Sequence, residues 1–127
     1  MLATRKKITA VVLSTAVMFG GLAATAAPAS ASAASVAFDK CLTPYVNAAN
    51  TIGKTSATAQ KAVLYTGYAK CYYALSQRSD ISSQTEISAL TNFQNYHGKA
   101  SIWIGKTGAK AYEQFISKFK LVGLSKL

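Results

Sequence analysis

The chain has 127 residues and a formal net charge of +10, with fourteen lysines and arginines against four acids. That length suits one domain beyond any targeting segment, and the charge directs attention to polyanions such as anionic lipid, teichoic acid or nucleic acid. Two cysteines 30 residues apart and one histidine do not make the usual tetrahedral set of a metal centre, and no metal or cofactor is expected.

Residues 1–33 read as a secretory signal peptide. Arg5, Lys6 and Lys7 form a positive n-region, residues 8–22 are uncharged and mostly apolar, and an alanine- and serine-rich exit with A-x-A sites follows. About 15 apolar residues fall short of the roughly 20 that a membrane span needs. The expected cut lies after Ala33, within Ala31-Ser32-Ala33, so that the mature chain begins at Ala34; Ala31 and Ala34 are alternative sites. The exit resembles signals of Gram-positive bacteria, actinobacteria above all. No second spanning stretch and no lipid-accepting cysteine near the cut are present. Residues 34–127 are therefore expected to be released, or held at the envelope by non-covalent contacts, as one cationic helical domain. Without the three cations of the n-region, eleven basic groups face four acids. Such an excess can simply keep a protein in solution, but on so small a chain it favours attraction to polyanions.

The first mature helix is expected to start with Thr43 as cap and Pro44 in its first turn. Tyr45, Val46 and Ala49 give it a short apolar face and Gly53 ends it. A separate turn before it would carry Cys41. Residues 55–77 form the central helix. Leu64, Tyr68, Cys71, Tyr72 and Leu75 recur at helical spacing, four small alanines slim other faces, and Gly67 is the single interruption. Cys41 and Cys71, 30 residues apart, are expected to form a disulfide in an exported protein.

After Arg78, Ser79 and Asp80, Ser83-Gln84-Thr85-Glu86 has the form of a capping box. Ile87, Leu90, Phe93 and Tyr96 mark the buried face of a helix that runs to His97, with Gly98 as its stop. Ser101-Ile102-Trp103-Ile104 follows, either as helical turns or as an extended bridge. Tyr112, Phe115, Ile116, Phe119 and Val122 then define an amphipathic helix. The last thirty residues hold six lysines against Glu113 alone. Ile52–Ala59 and Ile104–Ala111 match at six of eight positions, each copy ending one element with glycine and opening the next with threonine as cap. Two related helical hairpins would explain the match, as would helix junctions that reuse the same chemistry. The architecture expected is all-α: a small bundle of about four helices stapled by one disulfide.

Chemistry of the common enzyme types is missing. Both Gly-Lys-Thr copies lack the glycine that a phosphate loop requires five residues earlier. His97 has no orienting carboxylate or nucleophile in a motif around it, and Asp39, Asp80, Glu86 and Glu113 are scattered. A non-enzymatic role is expected. Tyrosines interleaved with lysines could stack on bases, line an envelope interface or pack the core, but no specific nucleic-acid motif accompanies them.

Signal peptide, small mature domain, strong positive charge and one tryptophan near a lysine-rich amphipathic C-terminus resemble, in general make-up, the secreted cationic bacteriocins of Gram-positive bacteria. The resemblance implies capture on an anionic bacterial envelope or membrane, or on a protein receptor there. Lys99, Lys106, Lys110, Lys118, Lys120 and Lys126 would supply the charge, and Trp103, Phe115 and Phe119 would seat in the lipid boundary. The stripe of Phe115 and Phe119 cannot face core and membrane at once. The alternative is a non-enzymatic envelope- or partner-binding protein, such as an inhibitor of an acidic extracellular enzyme.

Overall fold

The computed structural model describes residues 32–127. They form four helices, α1 (Ala33–Ile52), α2 (Ala57–Ser76), α3 (Ser83–Thr107) and α4 (Ala109–Lys118), followed by a 3-10 turn at Leu124–Lys126, with no strand among the described residues. Nearly all of the expected signal peptide lies outside the described residues; Ala33 opens α1 and Ala34 is buried in its first turn.

Helix α1 begins at Ser32, whose Oγ accepts the Ser35 N–H at 3.0 Å. It runs unbroken through Pro44, so the expected start at Thr43 is corrected. A proline inside a helix costs about 3 kcal/mol, and here it does not break the element. Phe38, Cys41 and Leu42 before the proline and Tyr45, Ala48 and Ile52 after it all pack on one core. Thr43 Oγ1 donates to the Asp39 carbonyl at 2.7 Å beside the interrupted ladder. Gly53 ends the helix as expected.

Helix α2 is the centre of the bundle, packed against α1 on one side and α3 on the other. Its cap is Ser56 rather than a threonine. Its innermost face is made of small residues: Ala59, Ala62, Val63, Thr66, Gly67, Ala69 and Cys71 are buried. Leu64, Tyr68, Tyr72 and Leu75, expected as the core stripe, are only half-buried. The reason is close approach. A Cβ on Gly67 would lie 2.4 Å from Tyr45 Cβ, so the glycine is the place where α1 sits down on α2. Cys41 and Cys71 are joined one turn along by a disulfide with Cα atoms 5.7 Å apart.

Helix α3 is capped by Ser82, one residue before the expected position, with its Oγ accepting the Thr85 N–H at 3.1 Å. It continues through Gly98 and Gly105 to Thr107, which corrects the expected stop at Gly98 and makes 101–104 helical. A helix-interior glycine costs only about 1 kcal/mol against alanine, and Ala89 and Ala100 are buried on either side of Gly98. Ile87 stands outside the packed face, 66% exposed. Gly108, at φ +95, separates α3 from α4 and serves as the cap of α4. The expected threonine caps at Thr55 and Thr107 are thus replaced by the residues that follow them.

Helix α4 places Tyr112 and Ile116 in the core, with Phe115 and Phe119 packed against it. It ends with Lys120 in the left-handed region, φ 57. The Leu121 N–H reaches back to the Ile116 carbonyl at 2.9 Å and that of Lys120 to Ser117 at 3.1 Å, a Schellman closure. Val122 therefore leaves the helix and is 38% exposed. Two buried tyrosines hold the returning tail. Tyr45 Oη donates to the Val122 carbonyl at 2.8 Å and accepts its N–H at 3.2 Å. Tyr112 Oη accepts the Leu124 N–H at 2.9 Å and lies 2.9 Å from Thr66 Oγ1. Because Thr66 donates its proton to the Ala62 carbonyl, Tyr112 is the donor to Thr66.

Candidate functional site

The described residues contain every lysine and arginine except Arg5, Lys6 and Lys7. Among them Arg78–Asp80, at 2.8 Å, is the one ion pair. The Arg78 guanidinium, hydrogen-bonded to Asp80, holds that carboxyl below its ordinary range. No lysine has a carboxylate partner among the described residues, so the positive charge is not cancelled locally.

The lysines are unevenly spread. No lysine occurs between Lys70 and Lys99, a stretch that carries Asp80 and Glu86. Because α2 and α3 are joined by a short turn and run antiparallel, the lysine-bearing C-terminal half of α3 lies beside the N-terminal half of α2. The side chains show it: Lys61 Nζ of α2 stands 4.4 Å above the ring centre of Trp103 on α3. Lys106 Nζ is 5.2 Å from the same ring. One step along, Lys99 Nζ lies 5.7 Å from the Tyr65 ring and 5.4 Å from that of Tyr96. These distances fall in the range of cation–π attraction.

The strip continues as a row of tyrosines. Tyr96 stacks against Tyr68 at 4.7 Å and against Tyr72 and Tyr65 at 5.8 Å each. Phe38 of α1 meets Tyr72 at 4.7 Å. Helical spacing creates this surface: Lys61, Tyr65, Tyr68 and Tyr72 are one face of α2, and Tyr96, Lys99, Trp103 and Lys106 the opposing face of α3. The rings are half-buried and the three lysines exposed. Burial, followed by the repulsion of neighbouring phenolates, raises the pKa of Tyr68 and Tyr72, and burial then the charge of Tyr65 raises that of Tyr96. At neutral pH these three hydroxyls are uncharged donors, and among the described residues none of them has a side-chain or backbone hydrogen-bond partner.

The sequence-expected residues divide in two. Lys99, Trp103 and Lys106 belong to the strip. Lys110, Lys118, Lys120 and Lys126 are exposed around α4 and the tail, with Lys118 Nζ 5.6 Å from the Phe119 ring. Phe115 and Phe119 turn toward the core in this fold, so α4 does not offer its apolar stripe outward. Sequence reasoning missed Lys61 and the role of Tyr65, Tyr68, Tyr72 and Tyr96 as one surface. The signal was available as i, i+4, i+7, i+11 spacing in α2, but its match to α3 requires the antiparallel pairing.

Other features offer less. His97 is exposed, with Phe93 edge-on at 5.6 Å, and no group of three potential metal ligands occurs among the described residues. A cavity of about 50 Å³ lies beside the disulfide, lined by Ala34, Phe38, Cys41, Cys71 and Leu75 among others, and an open depression runs along α1 between Asp39 and Asn47. None of the described helices is long and apolar enough to cross a membrane. No protein family, no curated protein and no solved structure shows a significant match to the chain.

Proposed function

We propose that the protein is a secreted cationic antibacterial protein of bacteriocin type, acting at the anionic envelope or membrane of competing bacteria. The observation that carries this reading is the set of ten lysines without a carboxylate partner on a disulfide-stapled domain of 96 described residues. Unpaired, exposed ammonium groups leave their field free to attract an anionic surface. The export signal read in residues 1–33 agrees with it. Because Phe115, Phe119 and Trp103 all pack against the core, first contact falls to the exposed lysines.

The test is growth inhibition by the purified, oxidised domain. Inhibition of a narrow set of Gram-positive strains supports the proposal, and no inhibition of any strain at micromolar concentration overturns it. The docked α4 also favours a second reading, a rigid partner-binding protein such as an inhibitor of an acidic extracellular enzyme. Tight one-to-one capture of a protein from culture medium, with no leakage of dye from anionic vesicles, would establish that alternative.

A further inference from the structure

The inference rests on the envelope reading and deepens it by naming the contact surface and the chemistry that it meets. We propose that the strip along α2 and α3, where Lys61, Lys99 and Lys106 stand over Trp103 and the tyrosine row, docks on the phosphodiester headgroups of an anionic lipid bilayer.

Charge is the first argument. Helix α2 contains no acid, and α3 only Glu86, ten residues or about 15 Å along the axis from Tyr96. The three lysines of the strip are exposed and none has a carboxylate partner. Their partner is anionic.

Ring geometry narrows the partner. Trp103 has ammonium groups at 4.4 and 5.2 Å, and the tyrosines are stacked on one another or beneath Lys99. Faces engaged in this way are not free to stack on nucleobases or sugar rings, which is how aromatic platforms hold single-stranded nucleic acid. What the strip presents instead is donors: the ammonium groups of the three exposed lysines. Phosphate oxygens are acceptors only, and they match that set.

Shape narrows it again. The strip is about 16 Å long, the eleven helical steps from Lys61 to Tyr72 at 1.5 Å each. It is an open face across two helices, and the cavity and the depression both lie elsewhere, beside the disulfide and along α1. A face of this length shared by two helices suits a plane of headgroups. Tyrosine, tryptophan and lysine are also the residues that settle where water meets lipid, with apolar bodies inward and polar ends in the headgroups.

The experiment compares two variants of equal charge. Lys61→Gln/Lys99→Gln/Lys106→Gln empties the strip, and Lys110→Gln/Lys118→Gln/Lys126→Gln removes three cations outside it. All six side chains are exposed, and far-UV circular dichroism checks that both variants remain helical. Binding to phosphatidylglycerol and phosphatidylcholine vesicles is followed by co-sedimentation and by the emission of Trp103. The wild-type protein is expected to bind phosphatidylglycerol selectively with a shift in that emission. At about fivefold per lysine at a membrane surface, the strip variant should lose on the order of a hundredfold, and the other variant less than about tenfold.

Equal losses would reduce the effect to net charge and overturn the surface. So would no binding to phosphatidylglycerol vesicles, or tighter binding to single-stranded oligothymidine through the same lysines. If strains are inhibited while vesicles are ignored, the lipid surface fails and the antibacterial reading stands. If vesicle binding follows the strip but no strain is inhibited, the surface stands and the antibacterial reading fails.

Discussion

Gly67 and Gly98 are both glycines inside helices, and the fold uses them in opposite ways. At Gly67 an added Cβ meets Tyr45 Cβ at 2.4 Å and Cγ at 2.5 Å, both close to the backbone of α1 and unable to swing away. At Gly98 it meets nothing within 4 Å. Gly67→Ala is therefore expected to cost about 1–3 kcal/mol by overpacking. Gly98→Ala is expected to gain about 0.5–1 kcal/mol by better helix propensity. Urea unfolding of the two variants measures both, and opposite signs are the expected result. Tyr112 belongs to the same scale. Tyr112→Phe removes the donor to Thr66 Oγ1 and the acceptor of the Leu124 N–H. Leaving such groups unsatisfied is expected to cost about 1–3 kcal/mol and to raise hydrogen exchange at Leu124.

Among the elements, α1 and α2 are joined by Cys41–Cys71, one turn along from the contact of Gly67 with Tyr45. Closing a loop of 30 residues stabilises by about 3.6 kcal/mol in the chain-entropy model. Reduction is expected to lower the thermal midpoint by well over 10 °C in a domain this small, and an unchanged midpoint would contradict a stapled bundle. The helices themselves were legible from spacing: the disulfide, the end at Gly53 and the amphipathic stripe of α4 were readable, whereas the direction in which that stripe faces was not. Pro44 and Gly98 misled because local breakers cost only about 1–3 kcal/mol, which continuous packing along α2 outweighs. The inner face of α2 was misread because periodicity weights large residues, whereas Ala62, Gly67 and Ala69 set the helix separation. In the candidate site, composition revealed the lysines and Trp103. The partners of Trp103 were hidden, since Lys61 reaches it across an interface between residues 42 positions apart.

For the whole molecule, the tyrosines set an alkaline limit. Tyr45, Tyr68, Tyr72, Tyr96 and Tyr112 all have their hydroxyl pKa raised from the ordinary value of 10.0, by burial first in every case. In the unfolded chain they ionise near pH 10, whereas in the fold they keep their protons to higher pH. The folded state then binds more protons than the unfolded one, so stability falls with rising pH. Stability due to these groups is expected to be fully present below about pH 10 and to decline above it, until ionisation and unfolding coincide. Ultraviolet titration of the phenolates alongside circular dichroism measures this. Ionisation of these five tyrosines near pH 10 with the helices intact would contradict their burial.

The unpaired lysines give the molecule its outward character, and their attraction to an anionic surface weakens as salt screens it. The Debye length shortens from about 30 Å at 0.01 M to about 8 Å at 0.15 M ionic strength. For the proposed antibacterial function, the most direct measurement is growth inhibition of Gram-positive strains by the oxidised protein, taken from low to physiological salt. The inhibitory concentration is predicted to rise steadily with salt. Inhibition independent of salt, or none at any salt, would contradict electrostatic capture on the bacterial envelope.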